Sequence, residues 1–175
     1  IIVNNVAGYA GGGISLTDAA RVRIIHNTVA NNDSAATAQA AYQAGATNST
    51  PQGSGISSFP HSSLFAAASG QTYSSPTLYD SIIWHNRSFY YNRTTQALIP
   101  APGVFYRDLQ TPAGNPVMNA RSCLLTSATG YHSSNLAADP RFVLSYTNSL
   151  VAAAVIDEAG NNTNVRFEPS GVQGN

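Results

Sequence analysis

What most constrains this chain is a repeat in its first third. Ile1-Ile2-Val3-Asn4-Asn5 is echoed by Ile24-Ile25-His26-Asn27-Thr28 at an offset of 23 residues, and by Thr28-Val29-Ala30-Asn31-Asn32 at an offset of 27. A looser copy is Ser81-Ile82-Ile83-Trp84-His85-Asn86. Between the first copies lies Gly11-Gly12-Gly13-Ile14-Ser15-Leu16, which returns as Gly53-Ser54-Gly55-Ile56-Ser57-Ser58. A short apolar strand, an Asn turn, then Gly-Ile and another strand reads as one coil of a solenoid, since self-similarity at ~20–50 residues marks a repeat architecture. Sequence alone leaves the register open between 23 and 27.

Residues 1–33 read as β throughout. Val22 and Ile24 share a face with Arg23 opposite, the period of two of a half-buried strand. Asn27, Asn31 and Asn32 supply turns, because Asn tolerates positive φ and bonds to nearby backbone. Two stretches break the pattern and are expected as loop excursions, about 34–52 and 87–120. The second carries Pro100, Pro102, Pro112 and Pro116, which argue against regular structure over most of it. Leu64-Phe65 and Asp139-Pro140-Arg141-Phe142-Val143 are expected as further short strands. The expected organisation is therefore coils over 1–145 and a closing tail over 146–175. A chain that opens on Ile1 inside an apolar strand is expected to be a segment of something longer.

Composition narrows the function. Charged residues make up 9 %, against about 25 % in an ordinary soluble domain, and Asn, Ser, Thr, Gly and Ala take their places. The eight basic residues, all Arg, balance eight acids, so no long-range field draws the chain to nucleic acid or to an anionic bilayer. Neither nucleic acid nor a membrane span is expected. Cys123 is single, which removes an internal disulfide and a Cys-based zinc site and leaves a small buried apolar residue as its expected role.

These repeats resemble the bacterial right-handed parallel β-helix proteins of the pectate-lyase-like superfold. The likeness rests on Ile-Ile-x-Asn-Asn, on His26-Asn27-Thr28-Val29-Ala30-Asn31-Asn32 and on Gly11-Gly12-Gly13-Ile14. It also rests on the tail, where Asp139-Pro140-Arg141-Phe142-Val143 and Ile156-Asp157-Glu158-Ala159-Gly160-Asn161 look like the family's closing motifs. Ala152-Ala153-Ala154-Val155 stands where the family usually has Gly-Ser-Pro. The resemblance implies an all-β, right-handed parallel β-helix with two long excursions, at a cell surface or outside the cell. Asn4, Asn27, Asn31, Asn86, Asp139 and Asp157 are then expected in ladders and turns, where stacked amides bond without the repulsion of stacked charges.

The superfold includes lyases that bind Ca²⁺ through clustered carboxylates and hydrolases that use paired ones. Here only Asp157 and Glu158 are adjacent, and neighbours on a strand point to opposite faces. Asp18 and Asp80 lie beside strands and could meet only by stacking. His26 and His85 each follow Ile-Ile and precede Asn, so they are expected to stack as outward ladder positions. No catalytic residue, metal ligand or cofactor is assigned. The densest aromatic and basic cluster is Arg87, Phe89, Tyr90, Tyr91 and Arg93, the expected ligand-contact surface for a sugar. The function read from these features is a non-catalytic scaffold: a stalk, adhesin or assembly component. Its partners would be the remaining coils of its own chain or another subunit at the Ile1 end. The alternative is a polysaccharide-processing or carbohydrate-binding module.

Overall fold

The structure, a computed structural model, describes residues 1–146. It is mostly β, with parallel sheets. Strands β1 (Ile2–Val3), β2 (Val6–Ala7), β3 (Ile14–Leu16), β4 (Arg23–Ile25), β5 (Thr28–Ala30) and β6 (Asp33–Ser34) come first, then a 3-10 turn at Gln39–Ala41. Next come β7 (Ile56–Ser58), helix α1 (Ser63–Ser69), β8 (Thr77–Tyr79), β9 (Ile82–Trp84), β10 (Arg87–Asn92) and β11 (Ala97–Pro100). The last are β12 (Leu109–Gln110), β13 (Asn119–Arg121), β14 (Leu124–Leu125) and β15 (Leu136–Ala137). They form sheets ordered β1-β5-β9-β14-β15, β11-β10-β6-β2, β12-β7-β3 and β13-β8-β4. All pairings are parallel except the β10–β11 hairpin.

Register explains the core. Ile2, Val29, Ile83 and Leu125 occupy one column of paired positions; Ile24, Leu78 and Ala120 fill a second, and Ile14, Ile56 and Leu109 a third. Most of these are buried and belong to one apolar cluster. Burial of each such side chain contributes roughly 1.5–3 kcal/mol, so the short strands are held by stacking far more than by their own propensity. Pairing of Ile2 with Val29 selects the 27-residue register. The 23-residue echo compares β1 with β4, and those strands lie in different sheets.

The β11-β10-β6-β2 sheet is polar where the others are apolar. Val6, Asp33 and Arg87 share a column, and the wholly buried Asp33 carboxylate receives Arg87 Nε at 2.8 Å and Nη2 at 2.6 Å. A fork-to-carboxylate pair of this kind supplies directional bonds as well as charge compensation. It keeps the Arg87 pKa above its ordinary value.

A second polar column runs through the turns. Asn5 Nδ2 donates to Asn32 Oδ1 at 2.9 Å, Asn32 Nδ2 to Asn86 Oδ1 at 2.9 Å, and Asn86 Nδ2 to Asp108 Oδ1 at 2.9 Å. Each acceptor oxygen also takes the backbone N–H of the preceding rung, at 3.1 Å in all three steps. The glycine motifs are packed on these rungs. A Cβ on Gly13 would stand 3.1 Å from Asn32 Nδ2 and 2.6 Å from the Gly55 carbonyl oxygen; one on Gly55 would stand 2.8 Å from Asn86 Nδ2 and 2.3 Å from the Asp108 carbonyl oxygen. The Gly-Ile repeat is thus the counterpart of the Asn turn, leaving room for the amide stack.

Three sequence expectations change. Leu64-Phe65 lies in helix α1, capped by Ser62 Oγ on the Phe65 N–H at 3.3 Å and closed by Gly70 at φ +69°. Those caps outweigh the short apolar pair as a local signal. Within 87–120, β10 and β11 form a regular hairpin despite the prolines, because Pro100 is the last residue of the edge strand. Asp139–Val143 is no strand: Asp139 Oδ1 accepts the Arg141 N–H at 2.8 Å and Arg141 has φ 52°, which makes a turn.

Gly55→Ala is expected to destabilise the chain by about 1–3 kcal/mol, the usual cost of overpacking against backbone that cannot yield. Urea unfolding of the variant beside the parent measures it, and an unchanged midpoint would remove the glycine's packing role.

Candidate functional site

The ladder also positions the most functional-looking surface of the molecule. Asn86 is locked as a rung, so the residue before it must turn: His85 sits at φ 51° and its N–H donates to Thr126 Oγ1 at 2.8 Å. This holds the half-buried imidazole between two rings. Trp84 stacks on it at 4.2 Å with planes 20° apart, and Tyr106 stacks at 4.3 Å with planes 12° apart. Tyr106 in turn meets Phe105 at 4.9 Å, and Phe105 meets Phe89 edge-on at 5.4 Å. Tyr106 is brought over β10 by a bridge to Arg87, while Ser88 N–H bonds to the Phe105 carbonyl at 2.7 Å. A continuous aromatic path therefore leads from the interior to the surface.

Two hollows flank the stack. One, of about 290 Å³, is lined by Asn31, Trp84, His85, Asp139, Arg141, Phe142, Ser145 and Tyr146. The other, of about 150 Å³, includes Tyr106, Arg107, Asp108, Thr126 and Tyr131. Burial keeps the His85 pKa below its ordinary value, opposed by the negative charges of Asp108 and Asp139. Burial pushes the Asp108 carboxyl up, against donors from Asn86 and Thr126 that favour its ionised form. It is held by Thr126 N–H at 2.9 Å on Oδ2 in addition to the Asn86 bonds on Oδ1. Burial and the neighbouring Asp108 charge raise the Tyr131 pKa, and burial lowers that of Arg107, whose Nη1 donates to the Pro51 carbonyl at 2.9 Å.

The residues singled out from sequence are distributed otherwise. Strand alternation splits the expected contact cluster: Phe89 and Tyr91 are buried, Tyr90 is half-buried, and Arg87 is spent on Asp33. Arg93 lies 3.6 Å above the Tyr42 ring and donates to Gln39 Oε1 at 2.8 Å, tying β10 to the preceding loop. Among the turn residues, Asn86 is a rung. Asn4 and Asn31 have positive φ one residue before the rungs Asn5 and Asn32. Asn27 belongs to a different column, outside the amide ladder: its Nδ2 donates to the Ile25 carbonyl, as Ser81 Oγ does to Tyr79 and Cys123 Sγ to Arg121. Asp139 lines the larger hollow; Asp157 lies outside the described residues. His26 and His85 do not stack, since His26 follows β4 and pairs by its N–H with Tyr79, whereas His85 follows β9. Asp18 accepts the Ser62 N–H at 2.6 Å at the start of α1, which lowers its pKa, and Asp80 turns at φ 47° after β8.

Sequence reasoning passed over Trp84, Tyr106 and Asp108. Trp84-His85 following an Ile-Ile strand was a visible signal; Tyr106 and Asp108 were not, because only pairing of distant segments brings them to it. Among the described residues no group of three or more His, Cys, Asp or Glu could hold a metal ion, and no helix is long and apolar enough to cross a membrane. Compared with protein-family models, curated proteins and solved structures, the chain matches none of them.

An NMR titration of the His85 ring is expected to give a midpoint below 6.5. The sign for stability follows. The folded state disfavours the protonated ring, so this contribution is complete above the unfolded pKa of about 6.5 and declines as pH falls below it. His85→Gln should therefore flatten the loss of thermal stability between about pH 7 and 5.

Proposed function

We propose that the four sheets are the faces of a right-handed parallel β-helix, and that the chain is a non-catalytic scaffold at a cell surface or outside the cell. The observation that carries this reading is the one-way amide ladder from Asn5 through Asn32 and Asn86 to Asp108. It is supported by the order in which the chain visits the sheets. β1 to β4 enter them one after another, β5 to β8 repeat the sequence, and β9, β10, β12 and β13 repeat it again. Successive passes stacked in register make a rod, and a rod with a neutral, amide-rich exterior suits a stalk, adhesin or assembly component.

The free edges support partnering through strands. β1, β2, β3 and β4 each stand at the end of their sheet, and Ile1 is 82 % exposed in the single chain. Unpaired parallel edges of this kind template further strands. Asn5 presents its own Oδ1 in the place where every later rung accepts a donor. The occupant that edge fits is a further coil bearing Asn.

The experiment that tests the architecture adds one module. An in-register duplicate of residues 1–27 placed before Ile1 is expected to raise the thermal midpoint by at least about 2–4 °C, the shift that 1 kcal/mol gives in a chain of this size. The same duplicate carrying Asp at its rung should give less, because a carboxylate cannot donate. If neither addition moves the midpoint, the edge does not accept coils. The non-catalytic part is checked by incubating the protein with pectin, xylan and cellulose: no release of reducing ends is expected.

A further inference from the structure

We infer that the hollow beside Trp84 is a binding site for a neutral sugar unit of an oligosaccharide, with Trp84 as its stacking floor. This goes beyond the scaffold reading and does not depend on it. The floor is apolar and aromatic: His85 covers one part of the Trp84 indole, and the indole lines the hollow. Phe142 and Tyr146, edge to face at 5.0 Å, make a wall, which Asn31 Nδ2 ties back by donating to the Tyr146 carbonyl. The volume of about 290 Å³ lies near the lower bound of roughly 300 Å³ for small-molecule sites. It suits one or two rings of a longer chain that continues over the exposed side.

Polar groups at the rim suit hydroxyls. Asp139 and Arg141 are both exposed, and Asp139 uses Oδ1 on the Arg141 backbone N–H. Among the described residues the Arg141 guanidinium has neither an ion pair nor a hydrogen bond, and the Ser145 hydroxyl is likewise unengaged. One acid, one base and an uncharged hydroxyl around an aromatic floor match the alternating donors and apolar C–H face of a pyranose. The same set disfavours other ligands. Arg141 opposes a quaternary ammonium, which aromatic cages otherwise attract, and Asp139 opposes a phosphate. The Trp84–His85–Tyr106 stack, with spacings of 4.2 and 4.3 Å, leads from this hollow to the one containing Asp108 and Tyr131. A linear saccharide therefore has a path along the surface.

Trp84 is the only tryptophan in the chain, so its fluorescence reports on the site alone. Titration with cellohexaose, xylohexaose and mannohexaose, and with hexagalacturonate as a charged control, is followed by Trp84 emission and by the indole N–H resonance. A saturable change with at least one neutral hexaose is expected, weakened at least tenfold by Phe142→Ala and by Asp139→Ala, the effect of losing an anchoring contact. Thermal midpoints of both variants should match the parent, separating lost contacts from lost folding. Silence in both signals with every neutral hexaose, binding confined to hexagalacturonate, or binding untouched by both substitutions would overturn the inference. Failure here leaves the duplicated-module experiment unaffected, so the two readings fall separately.

Discussion

The structure depends on a hydrogen-bonded amide column that has a direction. Asn5, Asn32 and Asn86 each use Nδ2 as donor toward the next rung, and Asn32 and Asn86 use Oδ1 as acceptor from the one before. Such a chain can end only on a group that accepts without needing to donate onward, and Asp108 is that group. Its carboxylate collects the last amide, the Asn86 N–H and the Thr126 N–H, satisfying three donors that would each cost about 1–3 kcal/mol if buried without a partner. Asn32 and Asn86 are wholly buried, so the ladder lies inside the protein as an element of its core.

The scarcity of charge follows from the same geometry. Parallel pairing at one register places like positions on top of each other, and like charges stacked at strand spacing repel. Amides and hydroxyls have no such penalty. The wholly buried Asp33 enters with its opposite in the same column, Arg87. Removing either partner would strand the other in a buried position, which is costlier than never having had the pair. The equivalent positions Asn27, Ser81 and Cys123 show how tolerant the scheme is otherwise. An amide, a hydroxyl and a thiol each bond to the carbonyl two residues back.

The aromatic surface is a by-product of the ladder that evolution could use. Locking Asn86 inward forces His85 into a left-handed turn, and that turn presents Trp84 and His85 beside the segment between β11 and β12 that carries Phe105 and Tyr106. Rigid rings supported by a buried polar column lose little conformational entropy on binding, which is the condition for a useful stacking platform.

The sequence by itself determined the strand-and-turn alphabet. Ile2, Val29 and Ile83 recur as its apolar positions, and Gly13 and Gly55 recur directly ahead of Ile14 and Ile56. It did not determine which copy pairs with which: offsets of 23 and 27 matched equally as strings, and only the pairing of Ile2 with Val29 and the bond from Asn5 to Asn32 separate them. Helix α1 escaped notice because its caps lie outside the apolar pair that drew the strand reading. The candidate site was half legible. Trp84 and His85 sat in a recognisable motif, but Tyr106, Asp108, Asp139 and Phe142 reach it from segments whose separation in the chain carries no periodicity. Local chemistry chooses strands, turns and rungs; the assembly of a surface from distant loops is decided by stacking, which exists only once the sheets have formed.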